Sequence, residues 1–110
     1  MVLAMATEDF VRKRITQLRI NKNVSEYQMS LDLGHSKSYI QSISSGRAMP
    51  SMGEFLVICE YLNVTPQEFF DEQTQNPVMQ NQLIAEISKL SESDTDMILQ
   101  LIQHMKSYSA

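Results

Sequence analysis

Apolar residues recur along this chain at helical spacing, broken at short intervals by residues that start and stop helices. Val11, Ile15 and Leu18 fall at i, i+4 and i+7, with Phe10 beside them, and predict one inward helix face. Thr7 stands before this stripe as an N-cap, Glu8 and Asp9 occupy the electropositive first turn, and "NKN" ends the helix. Ser25 opens a second helix with Gln28 as its capping-box partner. Met29 and Leu33 point inward, and Gly34 stops the helix after about two turns. A third pattern is capped by Ser36 and anchored by Ile40 and Ile43, with Tyr39 a further candidate for its buried side; Gly46 closes it.

Ser51 and Glu54 form a second capping box before Phe55, Leu56, Ile58, Cys59 and Leu62, which make a wide apolar face. Thr65-Pro66-Gln67-Glu68 supplies an N-cap, a proline at the first helical position and a capping-box acid. Phe69 and Phe70 follow, and both are expected to close the core. "DEQTQNP" (71–77) reads as a linker. Beyond it, Met79, Leu83, Ile87 and Leu90 form one stripe, and Met97, Ile98, Leu101, Ile102 and Met105 another. "LSESD" separates them, with Ser91 or Ser93 as the cap, so the pair reads as an αα-hairpin. Seven helices, no strand alternation and no repeat make the expected fold class all-α. Residues 7–72 form one five-helix domain and 73–110 a two-helix extension.

Composition changes this picture in three places. Glycine and proline total only six of 110 residues, which suits helices rather than a many-turned β-protein. The single Cys59 excludes an internal disulfide framework and multi-cysteine zinc patterns, so a cytoplasmic protein is expected. "MVLAMA" is an apolar run too short for a signal peptide or a membrane span; a packed arm, a disordered arm and a second start at Met5 all remain open. His35 and His104 lie far apart, no H-x-x-x-H or C-x-x-C occurs, and no glycine-rich phosphate loop is present. No metal, no cofactor and no enzyme activity are therefore expected. The methionines in the helical stripes read as core or interface filler.

The net charge of −4 hides a segregation. Between Arg12 and Arg47 there are seven basic residues against two acids, whereas from Ala48 onward there are two basic residues against nine acids. A basic N-terminal third on an acidic body is the asymmetry expected of a protein that meets a polyanion on one face. The alternative is scatter along solvated helix faces.

Two short helices around a glycine turn have the layout of a helix-turn-helix. Glu26 to Ser45 resembles the DNA-reading motif of the lambda-repressor/Cro (xenobiotic-response-element) family. Met29 and Leu33, the small Ser30 at the crossing, Gly34 in the turn, and Ile40 and Ile43 are the matching residues. "RITQLR", "SGRAMPS" and "LVICEYLNVTPQEFF" extend the likeness over roughly Asp9 to Glu72. The resemblance implies a recognition helix over 36–45 lying in the major groove of double-stranded DNA. It implies base contacts from Lys37, Ser38 and Ser42, and helical geometry adds Gln41. Lysine can donate to guanine, glutamine can pair with adenine, and serine is permissive. Phosphate contacts are expected from Ser36, Arg47, Arg14 and Arg19.

Three departures from the family pattern stand out. Glu26 replaces a common glutamine at a phosphate-contacting helix start, where a carboxylate would repel. Ser44 replaces an acid that commonly pairs with the first-helix arginine, so Arg19 must find another partner or face DNA. His35 occupies a turn position that is often apolar or threonine, where packing, solvent exposure and a pH-sensitive contact are the open readings.

The expected function is sequence-specific DNA binding by a small transcriptional regulator. The 38 residues after Glu72 are too few for an effector-binding domain. The hairpin stripes are wide enough to leave apolar surface after covering each other, which predicts a homodimer through Leu83, Ile87, Ile98, Leu101, Ile102 and Met105. A hairpin folded back onto the first helix is the competing arrangement. Two rival functions remain: a protein-interaction module such as an antitoxin or anti-repressor partner, and a helix-turn-helix retained only as a scaffold.

Overall fold

A computed structural model describes residues 7–108, so the N-terminal run "MVLAMA" lies outside the described residues. Seven helices follow one another: α1 (Glu8–Asn21), α2 (Glu26–Asp32), α3 (Tyr39–Ser44), α4 (Met52–Tyr61), α5 (Pro66–Phe69), α6 (Pro77–Ile87) and α7 (Glu92–Tyr108). No strand occurs among the described residues.

Local chemistry sets the boundaries. Thr7 accepts from the Phe10 N–H, Ser25 from Gln28, and Ser51 and Thr65 form complete capping boxes with Glu54 and Glu68. The expected box at Ser25 is only half made, because the Gln28 amide turns along α2 to Asp32 instead. Ser91 caps α7 by accepting from the Asp94 N–H at 3.1 Å. Gly34 and Gly46 leave α2 and α3 with φ of +78° and +92°, the left-handed region where a Cβ is strained.

Two joints share one design. Asn23 after α1 and Asn63 after α4 both adopt φ of +60°, and each is followed by an inward valine and a capping Ser or Thr. Asparagine tolerates this conformation, and the six-to-one bonds Val24 N–H to Arg19 O and Val64 N–H to Cys59 O close the helix ends.

The chain divides into two compact units between Val78 and Met79. The first holds the core: Ile15, Leu18, Met29, Ile40, Ile43, Phe55, Ile58, Cys59, Leu62, Val64 and Phe69. Phe55 and Phe69 meet edge-on at 4.9 Å. Phe70 departs from expectation: it is 40 % exposed, lying beside Phe10 and over the edge of this cluster. Residues 71–77 are no free linker either. Arg14 and Asn21 on α1 donate to the carbonyls of Asp71, Thr74 and Gln75, and Pro77 is buried. Attachment of this segment to α1 moves the division past Glu72.

The second unit buries no side chain of α7. Leu83, Leu101 and Met105 are more than half exposed, and Ile98 and Ile102 are only slightly more covered. Ile87 is half-buried.

Candidate nucleic-acid interface

Six residues are too few for a helix to persist alone in water, since nucleation costs more than so few backbone bonds return. What fixes α3 is therefore its neighbours, α2 and α1 above all. Ile40 and Ile43 are each 1 % exposed and root it in the core.

Four polar ties hold its ends. At the N-terminus, the buried Ser30 hydroxyl donates to the Glu26 carbonyl at 2.7 Å and accepts from the Ile40 N–H at 3.0 Å. α3 is thus capped by a residue of α2. The expected cap Ser36 precedes a turn; the N-cap position falls on Ser38, whose side chain makes no cap bond. The Tyr39 hydroxyl donates to Glu54 at 2.9 Å, reaching the start of α4. At the C-terminus, Arg12 of α1 donates to the carbonyls of Ile43 and Gly46 at 3.1 and 3.5 Å. The Ser44 hydroxyl donates to Glu26 at 2.7 Å. Glu26, expected to oppose phosphate, is half-buried and bound across the motif to that serine.

Glu54 gathers several of these lines. It completes the Ser51 capping box, accepts from Tyr39, and lies 3.0 Å from His35 Nε2. The Tyr39 hydroxyl, then the Ser51 backbone, hold its carboxyl below the ordinary range. Burial, together with the Glu54 contact, pushes the Tyr39 phenol up to about 12. His35 stacks flat on Tyr39 with ring centroids 3.7 Å apart. This turn histidine packs and pairs at the root of α3.

The outward surface is made by Lys37, Ser38, Gln41 and Arg47, all exposed. No hydrogen bond or ion pair engages Lys37 among the described residues. Ser42 differs from its expected outward place: it is half-buried, and its hydroxyl donates back to the Tyr39 carbonyl at 2.6 Å. With α3 beginning at Tyr39, Ser42 falls on the flank beside the buried Ile43 rather than on the outer stripe.

The basic segment contributes less free charge than its sequence suggests. Arg14, expected on phosphate, is 4 % exposed and donates to the carbonyls of Phe69, Glu68, Asp71 and Thr74 and to Gln17. Burial lowers its pKa, opposed by the nearby Asp71 carboxylate. A guanidinium so enclosed cannot reach DNA; it is the bolt that fastens residues 68–74 to α1. Arg19, also expected on phosphate, is half-buried and donates to the Val24 carbonyl at 2.7 Å, while its Nε is buried without a partner. Lys13 pairs with Asp9, and Lys22 sits 5.0 Å over the Tyr61 ring. Ser30, Arg12 and Glu54 were invisible as anchors in the sequence, because their partners lie between 10 and 34 residues away.

No group of His, Cys, Asp or Glu suited to a metal ion occurs among the described residues, and no helix is long and apolar enough to cross a membrane. No curated protein sequence matches the chain. A chain in a solved structure of a SinR protein/SinI protein complex is similar to this one. It has 25 % identity and a TM-score of 0.54, with 88 % of this chain and 98 % of that chain covered. The profile of the helix-turn-helix domain family matches residues 13–73, more than half of the chain, which include every core residue from Ile15 to Phe69 and all of α2 and α3. With that match, the all-helical fold and the SinR-like structure together, the chain belongs to the helix-turn-helix domain family, of the Cro/lambda-repressor type.

Proposed function

We propose that this DNA-binding regulator recognises a specific duplex sequence by laying α3 and the preceding turn, residues 36–45, in the major groove. The observation that carries the reading is the tethering of α3. A six-residue helix held by α1, α2 and α4 presents Lys37, Ser38 and Gln41 from a rigid base. Rigid display of donors and acceptors is what base-edge readout needs. Arg47 supplies the phosphate contact, with the exposed Ser36 as a second candidate. Ser42 retains acceptor capacity only, a minor part in readout.

A lone motif reads few base pairs, so two copies pairing through the second unit is the accompanying proposal. Exposed Leu83, Ile98, Leu101, Ile102 and Met105, with half-buried Ile87, offer the surface. The same surface suits a different protein, and the similar chain comes from a complex of two proteins, SinR and SinI. That reading adds to DNA binding rather than replacing it.

Selection of duplexes from a randomised pool tests the function. The full chain is expected to enrich one sequence, and Lys37→Ala to relax base preference at a cost of about 1–3 kcal/mol on that site. Uniform weakening across all sequences makes Lys37 a phosphate contact instead. Light scattering tests pairing: the expected mass is twice 12.6 kDa, against a monomer if the stripe awaits another partner.

A further inference from the structure

Gln41 and Arg47 form one unit on the outer face. The chain leaves α3 through Gly46 at φ +92°, and the N–H groups of Arg47 and Ala48 both return to the Ser42 carbonyl at 2.9 and 3.0 Å. This reversal brings the Arg47 side chain back along α3, where Nη2 donates to Gln41 Oε1 at 2.5 Å. Both residues are exposed, so the contact is no by-product of core packing.

The pairing has a chemical consequence. A guanidinium carries donors and no acceptor, so the carboxamide must turn its oxygen toward Arg47. Its NH₂ end then points to the remaining side. A lone glutamine suits adenine, offering an oxygen to N6–H₂ and an N–H to N7. Guanine presents two acceptors, N7 and O6. With one lone pair of its oxygen taken, the oxygen turned toward Arg47 and a cation beside it, the unit presents mainly donors and positive charge, which match guanine and oppose the adenine amine.

We propose that Arg47, besides meeting phosphate, sets the base preference of Gln41, so that the pair selects guanine where Gln41 alone would select adenine. Arg47 keeps further N–H donors for the backbone, so the two roles coexist. The proposal rests on the DNA-binding reading above and deepens it by naming the base and the positioning residue.

The experiment is selection from a randomised duplex pool with the full chain, Arg47→Ala, Gln41→Ala and the double variant, each shown to be folded by circular dichroism. The wild-type chain is expected to enrich guanine at one half-site position. Arg47→Ala should weaken binding generally and also move that position from guanine to adenine, changing the ratio of the two on the order of tenfold. Gln41→Ala should leave the position degenerate, and adding Arg47→Ala to it should change no base preference. The proposal is overturned if Arg47→Ala weakens all sequences alike with every base unchanged, if the wild type selects adenine there, or if no position depends on Gln41. A wild-type chain that enriches nothing overturns the DNA reading itself, which is a different and distinguishable failure.

Discussion

The helix that faces the candidate ligand is six residues long, whereas α7 has 17, yet the short one is the better fixed. α3 has two isoleucines in the core and polar ties to three other helices. α7 has a longer apolar stripe, and its own unit buries none of it among the described residues. Burial and long-range bonds, not helix length, decide which element can serve as a rigid reading head. The first unit closes on itself, and the second exposes what it would need to close. The contrast separates recognition from association, and substitutions in the two units should fail in different ways.

The largest effect is expected in the first core. Phe69, fully buried at the meeting of three aromatic rings, should cost about 3–5 kcal/mol when truncated to alanine, enough to unfold most of a marginal domain. Leu101→Ala, 53 % exposed, should leave thermal unfolding of the first unit nearly unchanged and lower the association constant in sedimentation. Equal destabilisation by both would erase the distinction between the units.

Arg14 sharpens the boundary. Arg14→Met strands the carbonyls of Glu68, Phe69, Asp71 and Thr74, and each buried orphan is costly, so denaturant unfolding should show a loss of about 2–4 kcal/mol. Arg14→Lys keeps the charge but not the fork, and should recover little of it. Protection of residues 68–75 in hydrogen exchange should fall first.

A smaller effect follows pH at the root of α3. Glu54 has a folded pKa below its ordinary 4.5, so its contribution is present above that value and disappears as pH falls through the lower folded one. Tyr39 has the opposite sign: its folded pKa of about 12 exceeds 10, so its contribution holds below pH 10 and is lost toward 12. Thermal melts of the wild type and Glu54→Gln should therefore converge as pH falls below about 4.5. Melts of the wild type and Tyr39→Phe should converge on the alkaline side.

Much of the fold was legible because it is written in local signals. Caps at Thr7, Ser51, Thr65 and Ser91, and the turns at Gly34 and Gly46, involve residues three or four apart. The site was legible in outline only. Lys37 and Gln41 are on the outer face, but counting charges treats every arginine as surface, and Arg14 spends its guanidinium on carbonyls 54 to 60 residues away. Ser30 was read for its size alone, although its hydroxyl also supplies the cap that α3 lacks. Its partner, the Ile40 N–H, lies ten residues on, beyond any capping motif. The Asn-Val-Ser and Asn-Val-Thr joints carried a signal in plain sight, two asparagines at matching helix ends.

An acidic chain that meets duplex DNA needs a locally basic face, and Lys37 and Arg47 stand exposed on the surface of the motif. Binding of the full chain to its selected duplex across a salt titration tests the use of that face most directly. With Arg47 of each of two copies on phosphate, about two counterions are displaced, so affinity should fall roughly tenfold between about 50 and 200 mM salt. Replacing Arg47 with alanine should flatten that slope. Absence of duplex binding at about 50 mM salt, or binding that salt leaves unchanged, would mean that this face does not engage the DNA backbone.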